Sequence, residues 1–393
     1  MSAFINKHVF TAELPYEKDA AVTDYLRNHF TKVDNFIMSL GQMSSVPPST
    51  LDVYINGKKE KGYIFSRSKL NAGGIKFYLY LLPVSILQVS WNLIRALKTI
   101  DFKCDIFFAQ HFLPAVIAVL LRKMGILKCK RIIFWMFDFF LIPPDLLRGL
   151  YFRGIDSAQH YIRTNVDEMW YTTPRIRESD RLRHGKLPQN VRAQLTEGCF
   201  FKQIPVTQPP KAPPIRLAFL GSLRLNNAVY ESIDCVKYCL NKGMKIELHV
   251  IGSGPEEKRM KEYVAKHKLS KAVIFYGFED RGEKIAKIFS QCHFGLSLYS
   301  ADAYGPNWYL TSGKFRRFIS QGLPVITTPV PYFVKYIHQY KAGLIVDNDP
   351  ADVYHALLSV YKKPSLLLNF QKGVDRMYQT YKIDHVFNQA FHE

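Results

Sequence analysis

Lys314 stands inside Tyr309-Leu-Thr-Ser-Gly-Lys-Phe-Arg-Arg-Phe-Ile-Ser-Gln-Gly-Leu-Pro-Val-Ile-Thr-Thr, which ends at Thr328. Thr311 or Ser312 can cap a helix running to about Gln321. Gly322 ends that helix, and Pro324-Val-Ile-Thr reads as a buried strand after a tight turn. A lysine in a helix's first turn, beside backbone N–H groups that no helical carbonyl takes, is chemistry for holding a phosphate. The same residues also describe an ordinary helix–strand unit with a solvated lysine.

Other positions could join such a site. Leu217-Ala-Phe-Leu-Gly-Ser-Leu-Arg224 is a strand running into Gly221-Ser222. Glycine there lets backbone approach a ligand, and Ser222 can donate to a phosphate, unless this is a plain strand–helix turn. His249-Val-Ile-Gly-Ser-Gly-Pro255 holds part of a dinucleotide fingerprint without its full glycine pattern. It reads first as a tight turn into a helix at Pro255. Phe275-Tyr-Gly-Phe-Glu279 ends another strand and leaves Phe278 and Glu279 in the following loop. Gly295-Leu-Ser-Leu-Tyr-Ser-Ala-Asp302 ends the next, with Tyr299 and Ser300 at the same edge.

The first half of the chain offers one carboxylate and one imidazole. Asp138 follows Arg131-Ile-Ile-Phe-Trp-Met-Phe at the end of a buried strand, flanked by aromatic residues. Desolvation there would raise its pKa toward the range of a general base; capping or a loop acid is the plainer role. His111 ends the preceding strand and can bind a hydroxyl or phosphate, or cap the helix opened by Pro114. Asp347-Asn-Asp349 spells a metal-binding triplet but precedes Pro350 and a helix, so capping accounts for it better and no required metal is expected.

The elements needed to position these residues are legible. In the first half, Ile5–Phe10, Phe36–Leu40, Asp105–Ala109, Arg131–Met136 and Glu168–Thr173 read as strands. Glu17–Phe30 and Leu113–Met124 read as helices. In the second, strands fall at Ile215–Leu220, Lys245–Ile251, Ala272–Tyr276, His293–Leu298, Pro324–Thr327 and Gly343–Val346. Helices lie between them near Ala228–Asn241, Pro255–His267, Gly282–Ser290, Ser312–Gln321 and Pro331–His338. Short apolar strands alternating with helices mean parallel sheets covered on both faces. The fold class is α/β: two doubly wound, Rossmann-like domains facing a cleft, with ligands at strand C-termini. The expected division is an acceptor-binding domain at 1–203, a proline-rich linker at 204–214, a donor domain at 215–375 and a terminal segment at 376–393 that can cross back to the first domain.

A net charge of +20 over 393 residues favours anionic partners. Hydrophobic content of 48% with 22% charged residues excludes disorder. Cys104, Cys129, Cys199, Cys235, Cys239 and Cys292 show neither a Cys-x-x-Cys pair nor metal spacing, and read as reduced core residues of a cytosolic protein. The N-terminus lacks a signal-peptide layout. Phe77–Ile94 approaches the length of a membrane span, but Pro83, Gln88 and Asn92 interrupt it. It suits a helix lying on a membrane or one half buried in its domain. Tyr151-Phe-Arg and Arg175–Arg192 are basic stretches, either solvated faces or an anionic-membrane footprint.

Asp138, Gly221-Ser222, Val250-Ile-Gly-Ser-Gly254, Tyr276-Gly277, Phe294-Gly295 with Tyr299 four residues on, and Lys314 eight residues before Gly322-Leu-Pro occur in an order that resembles glycosyltransferases of the GT-B fold. The order and spacing are most similar to the bacterial membrane-associated glucuronosyltransferases of xanthan assembly. The resemblance covers nearly the whole chain. It implies that Asp138 is the catalytic base, that Tyr299 and Lys314 contact the donor nucleotide, and that the loop after Tyr276-Gly277 meets the base. Phe278 would then stack on that base and Glu279 would bond base or ribose. The chain departs from the large retaining GT-B family, which carries two glutamates eight residues apart where Tyr309 and Arg317 stand here. It departs from the glucuronosyltransferases too, where a glutamate follows Tyr-Gly and Phe278 stands here. Arg316 or Arg317 can pair with a uronate carboxylate.

The expectation is a metal-independent, inverting hexosyltransferase with no cofactor beyond its nucleotide-sugar substrate. Its donor is a UDP-sugar, with UDP-glucuronate one candidate, and its acceptor a lipid-linked saccharide at the inner face of a bacterial membrane, in exopolysaccharide or capsule synthesis. The donor site comprises Gly221, Ser222, Phe278, Glu279, Tyr299, Ser312, Lys314 and Arg317; His111 serves the acceptor. A retaining reaction with His111 near the sugar is the second reading. A basic scaffold binding anionic lipid or nucleic acid is the third, although no nucleic-acid motif is present and nucleic acid is not an expected partner.

Overall fold

The computed structural model describes residues 5–14, 21–39, 48–65, 82–198, 200, 212–279, 281–299, 306–309 and 312–392. The chain divides into two compact units, Met1–Glu197 and Gly198–Glu393. Most of the expected linker, together with Thr311 and Ser300, lies outside the described residues.

The first unit runs β1 (Ile5–Glu13), α1 (Ala21–His29), β2 (Phe30–Ile37), β3 (Thr50–Ile55), β4 (Lys58–Ile64), α2 (Leu82–Lys98), β5 (Lys103–Ala109), α3 (Phe112–Lys123), β6 (Lys128–Met136), α4 (Leu146–Arg163), β7 (Glu168–Tyr171), α5 (Pro174–His184) and β8 (Arg192–Leu195). Its eight strands order as β4-β3-β2-β1-β5-β6-β7-β8. From β2 to β8 the pairing is parallel, as apolar runs covered on both faces require. Phe10 stacks on Phe107 at 5.2 Å, and Phe108 lies 5.6 Å from Trp135.

Sequence reading placed a strand at Phe36–Leu40, but β2 begins at Phe30, directly where α1 ends. It also missed the antiparallel hairpin β3–β4. Asn56 and Gly57 join those strands with φ of 47° and 79°, the left-handed pair that a two-residue hairpin turn demands. Tyr151-Phe-Arg, read as a basic stretch, is part of α4, which Asp145 caps by accepting from Arg148 N–H at 3.0 Å. Within Arg175–Arg192, Arg183 pairs with Asp156, Arg181 with Glu178 and Arg192 with Glu168, so internal ion pairs occupy these side chains.

Helix α2 covers the Phe77–Ile94 segment from Leu82 onward, residues 77–81 lying outside the described residues. Val89, Leu93, Ala96 and Leu97 are buried, whereas Leu87 and Trp91 are 71% and 60% exposed on the other face, followed by Arg95 and Lys98. Among the described residues no helix is long and apolar enough to cross a membrane.

The second unit runs β9 (Ile215–Leu220), α6 (Val229–Asn241), β10 (Ile246–Ile251), α7 (Glu257–Lys266), β11 (Val273–Gly277), α8 (Gly282–Phe289), β12 (Phe294–Ser297), α9 (Pro306–Tyr309), α10 (Gly313–Ser320), β13 (Val325–Thr327), α11 (Val334–Tyr340), β14 (Gly343–Ile345), α12 (Pro350–Lys362), α13 (Ser365–Tyr381) and α14 (Ile383–His392). All six strands are parallel, in the order β11-β10-β9-β12-β13-β14. Leu217 and Phe219 of β9 join a core with α6, α7 and α12, while Ala218 faces a second core with α10 and α11. That alternation is what a strand buried on both faces produces. In the second core Phe315 stacks flat on Phe333 at 3.6 Å. Residues 376–392 lie in α13 and α14, which fall within this second unit.

Candidate functional site

In the second sheet the order changes direction between β9 and β12, since β10 and β11 lie to one side of β9 and the later strands to the other. Doubly wound sheets open a crevice at the strand C-termini at such a point. Phe219 and Gly221 come from the β9 end, and Ser297 and Tyr299 from the β12 end. Helix α10 begins beside them because Gly295 of β12 lacks a Cβ: one added there would meet the Phe318 ring at 2.4 Å. Removing that atom lets α10 sit tightly on the sheet and fixes where its N-terminus points.

The side chain of Lys314 is directed at this crevice. Its Nζ lies 4.5 Å from the centre of the Tyr299 ring and 5.3 Å from that of Phe219. Among the described residues no carboxylate comes within ion-pair distance of it. Desolvation is the cause that holds its pKa down, at about 8. Two ring faces attract a cation but leave its hydrogen-bonding capacity unused.

Tyr299 is buried and held in place from several sides. Its N–H donates to Thr328 Oγ1 at 3.0 Å, and the Thr328 hydroxyl donates back to the Tyr299 carbonyl. Ser297 Oγ donates to its phenol oxygen at 3.0 Å. Burial pushes the phenol up to about 12, with hydrogen bonds from Ser297 and Ser312 opposing that shift. Ser312 therefore occupies the N-cap position of α10 but makes no capping bond, its hydroxyl being engaged with Tyr299. The expectation that it caps the helix is corrected on that point. The first-turn N–H groups beside Lys314 are not taken by it.

Gly221 lies at the β9 end with φ 147°, and its N–H donates to the Ile251 carbonyl at 3.0 Å. Gly252-Ser-Gly254 packs against it. A Cβ on Gly252 would come within 1.9 Å of the Gly221 carbonyl oxygen, and one on Gly254 within 2.4 Å of that of Leu223. Those two glycines are thus required by the close approach of two strand ends. Ser222 is exposed, and its carbonyl accepts from the Asn227 side chain at 2.6 Å.

Phe278 is 71% exposed in the loop after β11. Glu279 beside it is held in a fork by Arg281, with both nitrogens at 2.7 Å, and Lys284 stands 3.7 Å away. The Arg281 side-chain bonds, first of all, hold its carboxyl at about 2. A ribose would have to share that carboxylate with Arg281. Arg317 stands on α10 one turn after Lys314 and is half-buried.

Asp138 follows β6 in the first unit and is exposed, between half-buried Phe137 and buried Phe139. Its own unit does not supply the desolvation expected from the flanking aromatic residues. His111 is the N-cap of α3: its Nδ1 accepts from Leu113 N–H at 3.3 Å, and burial pulls its pKa down to about 4. Asp349 sits at the N-cap of α12 without a capping bond; Asp352 takes the Asp347 N–H instead, at 2.6 Å. Among the described residues no group of three metal-ligating side chains assembles. Sequence reading overlooked Phe219 and Ser297, which carry no motif and act only because β9 and β12 are neighbours.

Residues 214–363 match the family described as glycosyl transferases group 1. The matched stretch lies within the second unit. It contains β9, β12, Lys314 and the rest of the crevice just described. The chain is 20% identical over 276 residues to the putative colanic acid biosynthesis glycosyltransferase WcaL of Escherichia coli K12. That similarity covers 67% of this chain and spans 62% of the length of WcaL. Among solved structures, sucrose-phosphate synthase from Thermosynechococcus elongatus matches with a TM-score of 0.67 at 13% identity, over 98% of each chain. Anabaena HepE in complex with UDP matches with a TM-score of 0.63 at 8% identity, also over 98% of each chain. The two units thus share the GT-B fold of these structures.

Proposed function

We propose that the protein is an inverting glycosyltransferase that moves a hexosyl group from a UDP-sugar to a saccharide acceptor in polysaccharide synthesis. The observation that carries this reading is Lys314, a cation desolvated over the Phe219 and Tyr299 rings at the switch crevice of a group 1 domain. A diphosphate supplies what that ammonium lacks, and first-turn N–H groups of α10 add donors for the charge that develops on the leaving group. Phe278 stacks on the base, and Asp138 of the first unit takes the proton of the attacking hydroxyl. HepE bound to UDP, and to UDP-glucose in another structure, supports the choice of nucleotide. The WcaL similarity supports a polysaccharide setting. UDP-glucuronate and a xanthan-type acceptor remain within this reading, with Arg316 or Arg317 as the partner of a uronate.

The lysine and helix N-terminus supply the positive charge, so neither a metal nor a further cofactor enters the mechanism. A thermal-shift panel of UDP, GDP, ADP and TDP tests this. UDP at a hundredfold excess over Kd should add about 2.7 kcal/mol of stability, roughly 5–11 °C for a unit of this size. EDTA should not change the shift. Stabilisation by no nucleotide would overturn the reading.

The acceptor in this proposal is lipid-linked, and the protein meets a bacterial inner membrane through α2. Leu87 and Trp91 form an exposed apolar stripe that ends in Arg95 and Lys98, an arrangement suited to an anionic interface. Trp91→Glu should weaken sedimentation with phosphatidylglycerol vesicles about tenfold or more, since an indole's burial is lost. Equal sedimentation of variant and parent would exclude this face.

A further inference from the structure

Strands β5 and β6 pair in parallel with Cys104 opposite Cys129, so both side chains leave the same face of the sheet. Each is the second residue of its strand, at the rim away from the strand C-termini. Both are free thiols, hydrogen-bonded to each other. Cys104 is 7% exposed and Cys129 half-buried, and both line an open hollow of about 550 Å³ at that rim. Lys103, Lys128 and Lys130 line it as well. Lys130 pairs with Asp105 at 2.8 Å, whereas among the described residues Lys103 and Lys128 have no ion-pair partner. Cys235, Cys239 and Cys292 are 1%, 0% and 2% exposed, so a reagent in solution does not reach them in the folded chain.

The two thiols divide their protons. The bond from Cys104, first of all, and the N–H groups of Arg131 and Phe107 hold the Cys129 thiol below its ordinary range, against the effect of burial. The same bond, with burial, pushes Cys104 up. While Cys129 is protonated, its S–H can donate to the Arg131 carbonyl at 3.0 Å. A thiolate is the nucleophile in disulfide exchange, so Cys129 reacts first. Neighbouring strands lie about 4.8 Å apart. That is inside the Cα separation of about 4.4–6.8 Å that a disulfide bridges, but below its usual 5.5–6 Å. A bridge here can close without unfolding, and its strain lets a reductant reopen it. We propose that Cys104 and Cys129 form a reversible redox pair that an anionic low-molecular-weight disulfide oxidises. Lys103 and Lys128 draw the anion to the hollow. The Cys129 thiolate attacks one sulfur of the reagent, making a mixed disulfide and releasing one thiolate. Cys104 then gives its proton to solvent, and its sulfur attacks that of Cys129. The Cys104–Cys129 bond forms and the second reagent thiolate leaves. The reagent gains the two electrons that the cysteines lose. The bridge ties β5 to β6 at the end of β6 opposite Asp138, and it does not depend on the transferase reading.

DTNB, an anionic aromatic disulfide whose released thiolate is coloured, tests the pair. The full chain carries Cys199→Ser, which removes a third thiol from the count. This protein should release two coloured thiolates per chain and lose the mass of two hydrogen atoms, with no adduct retained. Tryptic mapping should join the peptide that begins at Cys104 to the one that begins at Cys129. Dithiothreitol should reverse both changes. Adding Cys104→Ser should leave one thiolate released and a stable adduct on Cys129. Adding Cys129→Ser should slow the release by about tenfold or more, the better nucleophile being lost. Mapping without either serine variant decides the matter even if those variants misfold. A stable adduct with Cys104 present, joining of either residue to another cysteine, or an undiminished rate in Cys129→Ser would overturn the pair. The release rate should also fall as salt is raised. A rate indifferent to salt would overturn the choice of an anionic reagent.

Discussion

Replacing Lys314 by methionine should abolish UDP binding at micromolar concentrations and raise the melting temperature of the unliganded protein. Methionine keeps the apolar stem between Phe219 and Tyr299 and removes only the charge. A charge-assisted hydrogen bond to phosphate contributes about 1.5–3 kcal/mol, and a donor aimed at developing charge is worth roughly 10²–10³ in kcat. By exposed area the side chain is half-buried, yet its ammonium end lies against the two rings, and that end governs its titration.

The pH dependence has a definite sign. The folded-state value of about 8 lies below the ordinary 10.5. Between those values the unfolded chain binds more protons than the folded one, so this group's contribution to stability rises with pH across that window. Below about pH 8 the penalty of holding a desolvated cation is fully present. UDP affinity runs the other way: constant below about 8, then falling by about tenfold per pH unit as the free lysine loses its proton. Isothermal titration from pH 7 to 9.5 on parent and variant checks both slopes. A Lys314→Met protein that binds UDP as before would remove the diphosphate assignment.

Asp138→Asn should reduce turnover by about 10²–10⁴-fold, the usual range for a positioned general base. It should leave the UDP thermal shift intact, because Asp138 belongs to the first unit and the proposed nucleotide site to the second. Asp138 is exposed, so the fold should change by no more than about 0.5 kcal/mol. Turnover that persists in the asparagine variant would strike out the base. NMR of the product anomer then separates the inverting reaction from the retaining alternative.

The strands of the second unit were legible because each is a short apolar run closed by glycine, proline or a polar turn; Ile215–Leu220 was bounded to the residue. The place of Lys314 in a helix's first turn was legible too. What surrounds it was not. Phe219 and Tyr299 are 80 positions apart in sequence and meet only because β9 and β12 are adjacent. The exposure of Asp138 was not legible either. It lies beyond the end of β6, where an exposed Asp138 is followed by a buried Phe139. The β3–β4 hairpin was overlooked although Asn56-Gly57 announces it, because β4 is exposed throughout and its lysines mask the period-two pattern. Ser312 was assigned its statistical role as a cap, and tertiary contact with Tyr299 claimed its hydroxyl.

That charged outermost strand has a bearing on how the chain avoids its own kind. A parallel sheet with a bare rim invites another molecule to continue the ladder. Here β4 borders the first sheet with Lys58, Lys59 and Lys61, which would repel the same strand of a second copy. The opposite rim, β8, is four residues long, and β14 of the second sheet only three. Such rims give little purchase for intermolecular pairing. The hairpin thus serves as the insulation of one rim of the first sheet rather than as part of its machinery.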